Sequence, residues 1–188
     1  MTRTRVGYAG GKKLEPTYRS LGGHTEAIEI EFDPTVISYA RLLEVFWAAH
    51  HPTGRSWSTQ YKNVLWTHGE AQAKEAKAQA EALAKKLERK ITTEIAPAPR
   101  FWVAEDYHQK YYLRRHDDLV FHAFGEDKDE ASFRDSELAA RLNGWVGGEG
   151  SLADRAAETA RLKLSPEVIS ALAVALGESP PPTCGRRE

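Results

Sequence analysis

Alternating apolar and acidic side chains between residues 28 and 33 constrain the fold of this chain most strongly. The apolar residues occupy the even positions and the acidic residues the odd ones: Ile28, Ile30 and Phe32 alternate with Glu29, Glu31 and Asp33. A period of two predicts a strand with one buried face, and Pro34 closes it because proline cannot donate to a strand ladder. Apolar residues at helical spacing follow, so a helix is predicted over residues 38–50.

Strands and helices continue to alternate along the chain. A strand is predicted over 61–67, a long helix rich in Ala, Glu and Lys over 69–89, a strand over 91–95 and a helix over 104–115. Glu105 and Asp106 open the last helix, where acidic side chains are favoured electrostatically. This order predicts an α+β domain, a two-layer ferredoxin-like sandwich, over residues 1–116.

The composition changes after residue 116. Three short helical stretches follow an acidic linker at 126–130, and Ser132, Ser151 and Ser165 are the predicted N-caps. We therefore expect a helical extension over residues 117–178. Residues 179–188 are rich in proline, and we expect a flexible tail there.

Charge and cysteine content exclude several classes of protein. The net charge is -1, which gives no electrostatic reason to expect nucleic acid or an acidic membrane surface. The single cysteine, Cys184, cannot form an intrachain disulfide, so a cytoplasmic location is expected. A monomer is also expected. His50, His51 and His108 do not have the spacing of a known metal motif, and no metal or cofactor is expected.

Glu26 is the strongest candidate for chemistry. It is in phase with Ile28 and Ile30, so it faces the core if the strand extends back to Thr25. Burial would raise the pKa of its carboxyl group, and a neutral carboxylic acid can donate a proton or a hydrogen bond. Alternatively, the strand begins at Ala27 and Glu26 is a solvated turn residue.

Phenols and the thiol are further candidates. Tyr8, Tyr18 and Tyr61 lie beside glycines or in a loop, and a phenol can donate to an oxygen that develops negative charge. The alternative is that these rings pack at the surface with the hydroxyl in water. Two arginines near Cys184 favour its thiolate, although an unconstrained tail thiol fits the same residues.

Several segments together resemble one enzyme family, the A-type peptide methionine sulfoxide reductases. They occur in the family's order within residues 5–113. The segments are Val6 to Gly11, Pro16-Thr17-Tyr18, Gly23-His24-Thr25-Glu26, Phe32-Asp33-Pro34, Ile37-Ser38-Tyr39, Leu42 to His50, Thr59-Gln60-Tyr61, Ile91 to Ile95 and Ala104 to Gln109. The extension, with Leu142-Asn143-Gly144-Trp145, is similar to that of a divergent, insect-like branch.

The resemblance implies a reaction and roles for several residues. In the family, a cysteine thiolate attacks the sulfur of a methionine-S-sulfoxide, methionine leaves, and a sulfenic acid remains. A second thiol then forms a disulfide that thioredoxin reduces, so the activity repairs proteins after oxidative stress. By resemblance, Glu26, Tyr8 and Tyr61 hold the sulfoxide oxygen, and Cys184 is a recycling thiol. Trp57 lies in a loop that departs from the family's pattern and is a candidate for an apolar wall of the substrate site.

The family's nucleophile lies in a Gly-Cys-Phe-Trp segment that precedes the counterpart of Val6 to Gly11, and the 188 residues do not contain it. Without that strand and helix, we expect an exposed strand edge and a partly open core. The first hypothesis is a reductase of methionine-S-sulfoxide in proteins and in free form, with the segment encoded in frame upstream. The second is a non-catalytic pseudoenzyme that binds oxidised methionine. A third is an interaction module formed by residues 117–178.

Overall fold

A computed structural model describes residues 2–178, and Cys184 with the predicted tail lies outside the described residues. The chain forms two compact units, which divide between Glu105 and Asp106. Strands lie in the first unit and α-helices form most of the second, which confirms the predicted α+β class with a helical C-terminal part. The domain boundary that the sequence places after residue 116, between the α+β domain and the helical extension, stays a prediction. Within the described residues, no helix is both long enough and apolar enough to cross a membrane.

The first sheet has three antiparallel strands. Strand β1 spans Arg3–Ala9, β2 spans Thr25–Glu31 and β5 spans Phe101–Val103, in the order β2-β1-β5. Tyr8 lies directly opposite Glu26 on one side and Trp102 on the other. Residues opposite each other in an antiparallel pair project to the same face, so these three side chains share a face of the sheet.

Strand β2 agrees with the sequence in phase and differs from it in burial. It begins at Thr25, so the alternative start at Ala27 is wrong. Glu26 shares a face with Ile28 and Ile30, but this face is open, and Ile28 is 59% exposed. The reason is that β2 is an edge strand among the described residues, and a groove of about 540 Å³ runs between it and β3 (Val64–Thr67). The exposed strand edge agrees with the expectation from the sequence.

The apolar core of the first unit lies beside the second sheet. Strand β3 pairs in parallel with β4, Glu94–Pro97, and helix α2, Glu70–Leu87, connects them as a β-α-β unit. Helix α1, Tyr39–Ala48, packs against α2 through a small apolar core of Leu43, Trp47 and Ala76. The predicted strands begin three residues too early. Residues 61–63 and 91–93 lie in loops, and the N–H of Thr92 donates to the carbonyl oxygen of Pro52 at 2.7 Å.

A buried histidine holds the glycine turn after β1. His24 is 2% exposed, and its Nδ1 accepts the N–H of Gly11 at 3.1 Å. The ring is therefore the tautomer with hydrogen on Nε2, which donates to the carbonyl oxygen of Lys13 at 2.9 Å. The same turn contains Gly10 at a φ of 83°, a conformation that favours glycine.

The second unit is helical. Short 3₁₀ turns at Asp106–His108 and Leu113–Arg115 replace the helix predicted over 104–115. The helices α3 to α7 follow: Asp117–Phe124, Glu130–Asp135, Glu137–Val146, Leu152–Leu162 and Pro166–Ala175. Their core contains Leu119, Phe133, Leu142, Trp145 and Leu172.

The caps of these helices test the sequence prediction directly. Ser151 forms a reciprocal capping box with Asp154, and Ser165 caps α7 with Pro166 in the first turn, so both caps are confirmed. Ser132 is wrong as a cap. It lies inside α4, where its N–H donates to the true cap, Asp129, at 2.8 Å. An aspartate and a serine three residues apart both suit a cap, and the sequence does not decide between them.

We predict that His24→Ala lowers the free energy of unfolding by about 2 kcal/mol, because the buried N–H of Gly11 and carbonyl of Lys13 lose their partner. Guanidinium unfolding followed by tryptophan fluorescence measures this change. His51→Ala is the matched control, since the His51 side chain is exposed and its removal should cost less than about 0.5 kcal/mol. Equal losses in the two variants would contradict the role assigned to His24.

Candidate functional site

The loop that follows α1 attaches to β2 at the point where Glu26 lies. The hydroxyl of Thr25, which is 3% exposed, donates to the carbonyl oxygen of Thr59 at 2.8 Å. The backbone N–H of Glu26 donates to the carbonyl oxygen of Gln60 at 3.0 Å. The loop therefore pairs with the outer edge of β2 over one rung, and Tyr61 is brought beside Glu26.

The same loop is anchored at its other end. The N–H of Asn63 donates to Oγ of Ser56 at 2.8 Å. Thr92 donates through its hydroxyl to the carbonyl oxygen of Gly54 at 2.6 Å. Because both ends are held by hydrogen bonds, the exposed residues between them have a defined position on the first unit.

An amide joins the two candidate polar groups. Nε2 of Gln60 donates to Oε1 of Glu26 at 2.7 Å and to the hydroxyl oxygen of Tyr61 at 3.2 Å. Glu26 is exposed, so the burial from which a neutral carboxylic acid was predicted is wrong. The predicted proximity of Glu26 and Tyr61 is nevertheless present in this geometry.

Tyr61 keeps its proton at neutral pH. Partial desolvation raises the pKa of its phenol, and the neighbouring Glu26 and Tyr18 raise it further. Both effects disfavour the phenolate, because a negative oxygen would lose water and lie beside another negative or electron-rich group. The hydroxyl of Tyr61 is thus a hydrogen-bond donor over the ordinary pH range.

Tyr8 has a different environment from Tyr61. It is 2% exposed, and its hydroxyl donates to Oε2 of Glu105 at 2.7 Å. The other carboxylate oxygen, Oε1, accepts the N–H of Tyr18 at 3.0 Å. Tyr8 lies next to Glu26 in the strand register, and its hydroxyl is held by Glu105 in this structure.

Glu105 is the residue of this region whose contacts sequence reasoning missed. The sequence places it at the start of a helix, and the nearest helical turn begins instead at Asp106. Its carboxylate links Tyr8 of β1 to the loop that contains Tyr18. Periodicity carries no signal for this link, because the partners lie far apart in the chain.

Trp57 adds an apolar surface to the group. Its ring is 83% exposed and lies 5.2 Å from the ring of Tyr61, centroid to centroid, at 43°. A large exposed aromatic ring beside polar groups is typical of a site that binds another molecule. Trp57 and Tyr61 therefore form an aromatic pair next to the carboxylate of Glu26.

His50, which lacks the spacing of a known metal motif, has structural contacts. His50 bonds the carbonyl oxygen of Phe46 at 2.7 Å and the hydroxyl of Thr93 at 2.8 Å. These contacts join α1 to the segment before β4. Among residues 2–178, no group of three or more His, Cys, Asp or Glu side chains could hold a metal ion.

The arrangement suits a ligand with a polar oxygen next to an apolar group. The Tyr61 hydroxyl can donate to the oxygen, Glu26 lies within the same hydrogen-bonded set, and Trp57 can contact the apolar part. All three are accessible to solvent, so the ligand can be a side chain of another protein.

Comparisons with known proteins all find matches in one family. Residues 1–139 match the family model of peptide methionine sulfoxide reductase, and residues 128–172 match that of the helical domain of selenoprotein methionine sulfoxide reductase A. The chain is 41% identical to a peptide methionine sulfoxide reductase of Drosophila melanogaster, over 87% of this chain and 66% of that protein. It is 42% identical to peptide methionine sulfoxide reductase A5 of Oryza sativa subsp. japonica, over 77% of this chain and 58% of that protein.

A solved structure shows the same likeness. Methionine sulfoxide reductase A of Corynebacterium diphtheriae is 36% identical and superposes with a TM-score of 0.50, over 59% of this chain and 62% of that chain. The match therefore spans less than two thirds of the length of each of these relatives.

We predict that Glu26→Gln lowers the pKa of Tyr61 toward the ordinary tyrosine value, because the negative charge that opposes the phenolate is removed. The pKa is measured by NMR titration of ¹³C-labelled tyrosine, with Tyr61→Phe to assign the resonance. Glu44→Gln is the matched control, since Glu44 pairs with Arg41 on the exposed face of α1. A Tyr61 pKa that is the same in wild type and Glu26→Gln would contradict the arrangement.

Proposed function

Because this chain belongs to the peptide methionine sulfoxide reductase family, we propose that it reduces the S epimer of methionine sulfoxide, in proteins and as the free amino acid. The overall reaction converts one sulfoxide and two thiols into a thioether, a disulfide and water. The attacking thiol of this proposal is the cysteine of the family's Gly-Cys-Phe-Trp segment, which the 188 residues do not contain. The hydrogen-bonded group of Glu26, Gln60 and Tyr61 beside Trp57 is the observation that supports this proposal.

The proposed roles follow from the chemistry of a sulfoxide. Its oxygen carries partial negative charge and accepts hydrogen bonds, and this charge increases as the sulfur–oxygen bond breaks. The hydroxyl of Tyr61 donates to that oxygen. Glu26, which is ionised while it faces solvent, takes up a proton when the bound substrate excludes water and passes it to the leaving oxygen. Tyr8 supports the same region through its position opposite Glu26.

Trp57 and Tyr61 form the proposed contact with the apolar part of the substrate. The methyl and methylene groups that flank the sulfoxide sulfur gain from burial against an aromatic face. This contact is the same for methionine and its sulfoxide. The aromatic pair therefore supplies affinity, and Glu26 with Tyr61 supplies discrimination for the oxygen.

The reductant and the cell compartment are also proposals. Thioredoxin is the proposed electron donor, with Cys184 as a recycling thiol, and a monomer in the cytoplasm is the proposed setting. A single cysteine in 188 residues suits a reducing compartment.

We predict that the protein binds a peptide with (S)-methionine sulfoxide more tightly than the same peptide with the R epimer or with methionine. Titration calorimetry measures the three affinities, and Tyr61→Phe should remove about tenfold of the preference for the sulfoxide, because the hydroxyl donor is lost. Equal affinity for all three peptides would contradict the proposed function.

Turnover is measured in the same series with dithiothreitol as reductant. Reduction of the S epimer alone would support the reductase, and its loss in Cys184→Ser would assign a chemical role to that thiol. Preferential binding without turnover would favour the pseudoenzyme hypothesis for the 188-residue chain.

We predict a different signature for Trp57→Ala. This change should weaken the sulfoxide and methionine peptides by the same factor, about tenfold, because the contact it removes is apolar. Calorimetry with both peptides measures the two losses. A loss confined to the sulfoxide peptide would place Trp57 at the oxygen and contradict its proposed role.

A further inference from the structure

Gln60 lies between the two polar groups of the proposed site. Its Nε2 donates to Oε1 of Glu26 at 2.7 Å and to the hydroxyl oxygen of Tyr61 at 3.2 Å. A primary amide nitrogen has two hydrogens, so both contacts can form at once. The side chain of Gln60 is therefore the physical link between the carboxylate and the phenol.

The backbone of Gln60 is held independently of its side chain. Its carbonyl oxygen accepts the N–H of Glu26 at 3.0 Å, and the preceding carbonyl, of Thr59, accepts the hydroxyl of buried Thr25 at 2.8 Å. These bonds fix the loop against the strand. The amide consequently starts from a defined position, and a change in its chemistry need not displace the loop.

The contact has a direct consequence for the exposed carboxylate. A free glutamate side chain samples several rotamers, and ordering one costs conformational entropy when a ligand binds. A hydrogen bond from Gln60 to Oε1 orders the Glu26 carboxylate before the ligand arrives. Preorganisation of this kind increases affinity because less ordering remains to be done.

The contact also directs the phenol. The Tyr61 oxygen accepts one hydrogen from Gln60, so its own hydrogen must point away from that amide. Glu26 and Tyr61 are thereby oriented together by one side chain.

We propose that Gln60 is a positioning residue that orients Glu26 and Tyr61 for recognition of the sulfoxide oxygen, a role that rests on the proposed function. Gln60 acts through its two neighbours and not by contact with the reacting atoms. Its removal should therefore change the discrimination between sulfoxide and thioether and leave the apolar contact as it is.

The first test measures this discrimination. Titration calorimetry compares a peptide with (S)-methionine sulfoxide and the same peptide with methionine, in wild type and Gln60→Leu. We expect the sulfoxide peptide to bind about tenfold more weakly to Gln60→Leu, with the affinity for the methionine peptide unchanged. Parallel losses for both peptides, or unchanged discrimination, would overturn the proposal.

Two further variants separate chemistry from shape and from general destabilisation. Gln60→Glu keeps the shape of the side chain and removes the N–H donors at neutral pH, so it should lose the discrimination as Gln60→Leu does. Gln79→Leu makes the same change in α2, where the amide donates to the carbonyl oxygen of Ala40 at 3.2 Å, and should keep it. Retained discrimination in Gln60→Glu, or its loss in Gln79→Leu, would overturn the role.

The second test uses NMR and needs neither substrate nor turnover. The side-chain amide resonances of Gln60, assigned by their loss in Gln60→Leu, should shift in Glu26→Gln, and those of Gln79 should not. An unmoved Gln60 amide would show that the contact is absent in solution and overturn the proposal. If the Gln60 amide shifts in Glu26→Gln but wild type shows no preference for the sulfoxide peptide, the proposed function is overturned and the Gln60–Glu26 contact is retained.

Discussion

One backbone hydrogen bond, from the N–H of Glu26 to the carbonyl oxygen of Gln60, determines where the proposed site forms. Strand β2 is paired with β1 along its length, so its inner edge is used, and Glu26 directs its N–H outward. The carbonyl oxygen of Gln60 in the loop accepts this N–H, and Gln60 and Tyr61 therefore lie beside the Glu26 side chain. A strand edge can pair with other chains, and here it is the attachment point of the loop that contains Gln60 and Tyr61.

The amino-acid sequence predicts the local order of the chain well where one pattern dominates. The strand phase at Glu26 and the caps at Ser151 and Ser165 are examples, since each depends on residues within a few positions. Burial is predicted poorly. An alternating pattern indicates which residues share a face of a strand, but it does not indicate whether another element packs on that face. Ile28 has the pattern of a core residue and is 59% exposed beside the open groove.

The sequence could not predict hydrogen bonds between segments that lie far apart in the chain. Gln60 and Glu105 are polar residues without a periodic pattern. Gln60 lies 34 positions from its partner Glu26, and Glu105 lies 97 positions from Tyr8 and 87 from Tyr18. Each acts on a predicted residue: Gln60 on Glu26 and Tyr61, and Glu105 on Tyr8. The resemblance to a family proposes the site residues, and the structure shows which side chains contact them.

The exposure of the site sets how its electrostatics can operate. Charges in contact with water interact through a high effective dielectric constant, so Glu26 acts weakly on Tyr61 while both face solvent. A bound peptide that covers Trp57 and Tyr61 would exclude water from the same region and strengthen each remaining hydrogen bond. The substrate would then complete the environment in which its own oxygen is held. In such a site, geometry that exists before binding matters more than the charge of any one group, which is why an amide that orders both donors can control selectivity.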